Sequence, residues 1–151
     1  MALRKYNPKK VTGSFKGKIG DRDFAVQFVG FMDGTFVMAE FDEDQVTKHV
    51  GSQGDASFVL NANTGAAVTI TLVQGSPSND LLSDLVPDSS KNFMPVGVLT
   101  FEDLNGTTKI KGPETVIKKT AKVEFGKELT GREWVFDIAE ADIHVGGAGD
   151  F

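Results

Sequence analysis

Few side chains in this sequence could do covalent or acid–base chemistry, and their spacing does not gather them. There is no cysteine, which removes disulfides, thiolate metal ligands and a cysteine nucleophile. His49 and His144 stand far apart, without a ligand-like neighbour at useful spacing, whereas a metal site needs a cluster. Both read as structural or solvent-facing. One well-placed histidine would serve a serine triad, but no Gly-x-Ser-x-Gly is present. The densest acidic run is Asp42-Glu43-Asp44, just after Glu40. It lacks the internal glycine and alternating oxygen ligands of a calcium loop, and reads as a solvated turn between strands. Gly51-Ser52-Gln53-Gly54-Asp55 has neither a following Lys-Ser/Thr nor a helix start. It therefore fails as a phosphate cradle and reads as a tight hairpin loop. Lys109, Lys111, Lys118, Lys119 and Lys122 make a basic stretch, but the interleaved aromatics that stack on bases are missing. On a strand, Lys118 and Lys122 share a face and Lys119 lies opposite, a pattern suited to pairing with acidic neighbours. The expectation is a protein with no catalytic residues, no cofactor and no metal.

The elements that would position these side chains are mostly strands. Over 66–73, Val68, Ile70 and Leu72 alternate with Ala67, Thr69 and Thr71, the signature of a half-buried strand rich in β-branched residues. The first set is expected in the core and the second away from it. Residues 34–41, 57–61 and 96–102 read as further strands. Residues 107–111 follow Asn105-Gly106, a dipeptide that favours positive φ in a hairpin turn. Residues 114–125 and 132–143 form two longer strands, the latter with Trp134, Phe136 and Ile138 on its core face. Near the start, 11–19 and 24–31 are strands separated by Gly20-Asp21. One segment departs from the period of two. Residues 76–86 read as a short helix, with Ser76 or Ser78 as cap, Pro77 in the first turn and Asp80 at the positive dipole end. Leu81, Leu82 and Leu85 are its apolar face, with Leu81 and Leu85 assigned to the core. Pro87 stops it.

The chain has 151 residues, of which 40% are hydrophobic and 25% charged, and this is enough for one domain with a real core. Phenylalanine occurs twelve times, against one Trp and one Tyr, a bias toward dry packing surface. No apolar run reaches membrane-spanning length, and the N-terminus has no apolar segment of a signal peptide. The net charge of −5 argues against a phosphate-binding footprint. Residues alone thus reach a mainly β domain spanning 1–151, with one short helix. Its N-terminal arm 1–10 and C-terminal tail 145–151 are expected to be mobile or to contact other subunits.

Several segments together go further. They are Asp33-Gly34-Thr35-Phe36-Val37, Thr47-Lys48-His49-Val50-Gly51, Val68-Thr69-Ile70-Thr71-Leu72, Gln74-Gly75-Ser76-Pro77-Ser78-Asn79-Asp80-Leu81-Leu82-Ser83, Asp103-Leu104-Asn105-Gly106-Thr107-Thr108, Val123-Glu124-Phe125-Gly126-Lys127-Glu128, Arg132-Glu133-Trp134 and Val145-Gly146-Gly147. Their order, over roughly 5–147, resembles the small tail tube proteins of contractile-tailed bacteriophages. The resemblance implies a β-sandwich or barrel-like subunit with a helix at its side. It implies hexameric rings stacked into a hollow tube within the virion tail, assembled in the host bacterial cytoplasm. Its partners would be copies of itself, sheath, tape-measure, tail initiator and terminator proteins, with DNA passing through unbound. A tube of type VI secretion or of a tailocin is the related alternative, and a virion decoration or carbohydrate-binding β-sandwich is the distant one. The segment 16–31 is longer than the pattern suggests, an extended hairpin or loop. A six-membered ring would carry about −30, which repels a passing duplex. Thr69 and Thr71 are the candidate lining of the channel.

Overall fold

The computed structural model describes residues 6–147. The chain forms strands β1 (Val11–Ile19), β2 (Arg22–Gln27), β3 (Val37–Phe41), β4 (Val46–Val50), β5 (Ala56–Leu60) and β6 (Ala66–Val73), then helix α1 (Ser78–Ser83). Strands β7 (Val96–Asp103), β8 (Lys109–Lys119), β9 (Gly131–Ile138) and β10 (Asp142–His144) follow. This is a mainly β, sandwich-like fold with one short helix. Eight strands make one sheet in the order β2-β1-β7-β8-β9-β6-β3, with β10 beside β8, and β4–β5 stand apart as a two-stranded hairpin. All the pairings are antiparallel.

The two ends of the sheet are bridged by the chain that leaves β2. The Gly20-Asp21 turn joins β1 to β2, and the chain leaving β2 crosses to the far end of the sheet. There the Met32 N–H donates to Thr71 O at 3.0 Å, and the Val73 N–H to Gly30 O at 2.7 Å. Segment 16–31 is therefore a hairpin followed by the strap that closes the sheet. The crossing is tight at Gly30, whose φ is +74°, and a Cβ there would lie 3.1 Å from Val73 Cγ2 and 3.2 Å from Ser76 Cβ. Only glycine meets both demands without strain. Side chains from non-adjacent strands come together: the Phe136 ring of β9 meets Phe15 of β1 at 5.3 Å and Phe28 of the strap at 5.7 Å. Edge-to-face arrangements at this distance are favourable beyond area burial.

The core contains Val68, Ile70, Leu72, Trp134, Phe136, Ile138 and Leu85, all buried. Leu81 is not among them: it is 47% exposed, while Leu82 is 0% exposed and fills the place instead. The helix is shorter than 76–86 and ends at Ser83, where the Leu85 N–H bonds to Leu82 O, three residues back. That tightened turn eclipses positions i and i+3, so Leu82 and Leu85 share the buried face and Leu81 turns out. The capping expectation also changes. Pro77 occupies the N-cap without a side-chain bond. Ser76 Oγ accepts from the Ser78 N–H at 3.2 Å, the first of the helix, and also donates to Val29 O of the strap at 2.6 Å, while Ser78 Oγ donates to Gln27 O at 2.9 Å.

Other sequence boundaries move: 24–31 becomes β2 at Arg22–Gln27 with the strap after it, 34–41 shortens to β3 at Val37–Phe41, and 57–61 shifts to β5 at Ala56–Leu60. Of 107–111 only Lys109 to Lys111 is strand, and it joins 114–119 in one strand, β8, which bridges Pro113 through a register shift against β7. Beyond Lys119 the chain is loop rather than strand. Residues 132–143 break after Ile138, and β10 leaves β9 to pair with the first half of β8. The β7–β8 hairpin forms, but neither Asn105 nor Gly106 is among the positive-φ residues. Asn105 acts through its side chain, accepting from the Asn7 N–H at 3.1 Å and donating to Asn7 O at 3.0 Å. This ties residue 7 and the 3-10 turn Pro8–Lys10 to the hairpin. Gly147 O likewise accepts from the Thr107 N–H at 3.0 Å. The remainder of the arm, 1–5, and of the tail, 148–151, lies outside the described residues.

Candidate assembly surfaces

Strand alternation decides which side chains β6 offers outward. With Val68, Ile70 and Leu72 in the core, Thr69 and Thr71 lie half-buried on the outer face. Thr69 stands opposite Met38 of β3 and Val135 of β9, while Thr71 stands opposite Glu133. Ala67, one step along, stands opposite Glu40 and Asp137. The two threonines therefore sit in a patch whose charged neighbours on β3 and β9 are carboxylates. Thr71 is also packed, since a Cβ at Gly131 would meet its Cγ2 at 2.7 Å.

The free edges of the sheet are treated differently. Along the β2 side, Ser78 Oγ accepts from the Val29 N–H at 3.2 Å as well as donating to Gln27 O, so hydroxyls close the edge where the strap begins. Along β3, register with β6 and the Phe36 and Asp42 bonds direct the polar groups of Val37, Ala39 and Phe41 away from the sheet. An edge of this kind is a template for another strand.

The hairpin β4–β5 is the most exposed element. All ten of its residues are exposed, and among the described residues it makes no substantial contact with another element. Phe58 is 72% exposed and Leu60 82%. The Gly51–Asp55 segment is its turn, closed by the Gly51 N–H donating to Asp55 O at 2.6 Å. At the base, the Glu43 carboxylate accepts from Asn61 Nδ2 at 2.9 Å and from Asn63 Nδ2 at 3.2 Å. These two amides hold its carboxyl below the usual carboxylate range. The acidic run is thus a turn between strands with a structural task for one member. Nothing in the sequence marked Asn61 and Asn63 as its partners beyond their place before β6.

The chemical candidates stay apart. His49 lies on the exposed hairpin and His144 on β10. Among the described residues, no group of three or more His, Asp or Glu could hold a metal ion. Of the lysines read as paired with acids, Lys122 meets Glu124 at 2.6 Å, which raises the lysine and lowers the carboxyl. The other four form no ion pair among the described residues, so pairing is not the general role of the stretch.

No protein-family model matches the chain. The chain is 28% identical over 120 residues to Structural protein ORF10 of Pseudomonas phage KPP10, covering 78% of this chain and 69% of that protein. Among solved structures it resembles the tube-terminating cap of the anti-feeding prophage, with a TM-score of 0.51 and 8% identity over 95% of this chain and 93% of that one. The sequence relation is to a phage structural protein, and the structural likeness is one of fold over nearly the whole chain.

Proposed function

We propose that this chain is a structural subunit of a phage tail tube, assembling into stacked, hexameric rings that form the conduit for DNA. The observation that carries the reading is the relation to a phage structural protein over most of the chain. The surface supports it. An open β3 edge and an exposed apolar hairpin are liabilities for a monomer and assets for a subunit. The closed strap and serine-capped β2 side give a rigid body between them. The protein does no catalysis and needs no cofactor. In the virion it meets copies of itself, then sheath, tape-measure, initiator and terminator proteins after assembly in the host cytoplasm, and the Thr69–Thr71 face lines the channel.

A second reading is a cap that ends such a tube, favoured by the fold shared with a tube-terminating cap. Negative-stain microscopy of the purified protein, alone and with its tail initiation partners, separates the two. Open tubes of repeated rings are expected. Single rings that never stack would favour the cap, and persistent monomer under all these conditions would overturn both.

A further inference from the structure

The two faces of the β4–β5 hairpin differ. Val46 pairs with Leu60, Lys48 with Phe58 and Val50 with Ala56, and directly opposed residues share a face. One face is thus five apolar side chains around a single cation, and the other carries Thr47, His49, Ser57 and Val59. Among the described residues, no other element covers the apolar face. The hairpin leaves the sheet at the Ala66 end of β6, where Asp42 N–H bonds to Gly65 O. At the opposite end of β6, where the strap bonds to Thr71 and Val73, lies an open groove of about 850 Å³. Tyr6, Val29, Phe31, Met32 and Phe36 wall it, with Asp33 and Lys9 also on its lining.

We infer that the apolar face of β4–β5 docks into the Tyr6–Phe36 groove of a second copy of this chain, with Lys48 against Asp33. The occupant is argued from complementarity: an apolar protrusion with one cation, and an apolar groove whose one acidic residue is Asp33, beside Lys9, at opposite ends of one strand. A contact between unlike patches is heterologous and leaves each copy with a free hairpin and a free groove. It therefore propagates head to tail, as stacked rings require, and in this it rests on the tube reading.

The absence of cysteine makes the test clean. A chain carrying both Phe58→Cys and Val29→Cys should, under mild oxidation of the assembled protein, give a ladder of covalent multimers, while Phe58→Cys alone gives no ladder. In parallel, Lys48→Glu should reduce the yield of tubes severalfold, and Asp33→Lys added to it should restore them. Circular dichroism should show each variant folded, since the hairpin, Val29 and Asp33 all lie outside the core. Normal tubes with no ladder and no effect of Lys48→Glu overturn the docking while leaving the tube reading intact. A wild-type chain that never assembles overturns the tube reading, and the docking with it.

Discussion

The indole N–H of Trp134, on β9, donates to the Asn79 side-chain oxygen of α1 at 2.9 Å. Trp134 is 2% exposed, so this bond satisfies a donor that has no water to turn to. Asn79 in turn donates from Nδ2 to Val73 O at 3.1 Å. One amide thus locks the start of the helix to two neighbouring strands of the sheet.

Two kinds of loss should separate at this site. Trp134→Ala removes a large buried ring and is expected to cost about 3–5 kcal/mol. Asn79→Ala keeps the ring but orphans its N–H, and should cost about 1–3 kcal/mol. Urea titrations followed by circular dichroism measure both. As the chain's lone tryptophan, Trp134 should emit in the blue and resist quenching. Red-shifted, readily quenched emission from the folded protein would contradict its placement.

The helix face gives a sharper contrast. Leu82→Ala should cost about 2–5 kcal/mol, whereas Leu81→Ala, on the exposed side, should stay within about 0.5 kcal/mol. Equal losses at the two positions would mean that the last turn is α-helical rather than tightened.

These residues also mark where the sequence was legible. Strand alternation placed Val68, Ile70, Leu72, Trp134, Phe136 and Ile138 on inward faces because a period of two leaves no other choice for a half-buried strand. The Leu81 assignment rested on α-helical spacing carried past Ser83, and a short helix end follows its hydrogen bonds instead. The strap of 28–36 was legible only as strand-like residues. Its closing role depends on Thr71 and Val73, distant in sequence. Ser76 and Ser78 read as caps since serine caps helices; Ser76 does accept from the Ser78 N–H, and only tertiary contact adds the bonds of the two hydroxyls to Val29 and Gln27. The apolar hairpin face was concealed because 46–50 does not read as a strand at all, and 57–61 alone looks like an ordinary half-buried one.

Ser78 ties the helix start to the strap. Its hydroxyl both donates to Gln27 O and accepts from the Val29 N–H while 2% exposed. Ser78→Ala should cost about 1–3 kcal/mol by leaving those groups unpaired. It should also open the strap edge to other strands, seen as faster hydrogen exchange at Val29. Unchanged exchange there would mean that another group closes this edge.

The base of the hairpin should respond to acid. The folded-state pKa of Glu43 is depressed by Asn61 and Asn63. Its contribution is therefore present above the unfolded value and is lost as pH falls through the folded one. Below the ordinary carboxylate range the hairpin base should loosen, read as faster exchange of the Asn63 and Gly65 amides relative to the core. Glu43→Gln should flatten that pH response, and a response that survives the substitution would assign it to another group.

The channel assignment yields the most mechanistic expectation. Thr69 and Thr71 face away from a core filled by their strand neighbours, beside Glu133, Glu40 and Asp137. On a tube, that face looks into the channel, toward a partner subunit or outward. Small side chains among carboxylates suit the first, because a duplex then finds neither a foothold nor a cation. Thr69→Lys with Thr71→Lys adds about twelve positive charges to a six-membered ring, and DNA would gain counterion-release affinity for the wall. Thr71 leaves no room for a side chain at Gly131, so Thr69→Lys alone serves as the gentler control, with about half the added charge. Both variants should build particles of normal length that eject their genome slowly, the double variant the slower, and raised salt should relieve the delay. Normal ejection from intact particles would move this face off the channel. Failed assembly of even the single variant would place it at a subunit interface.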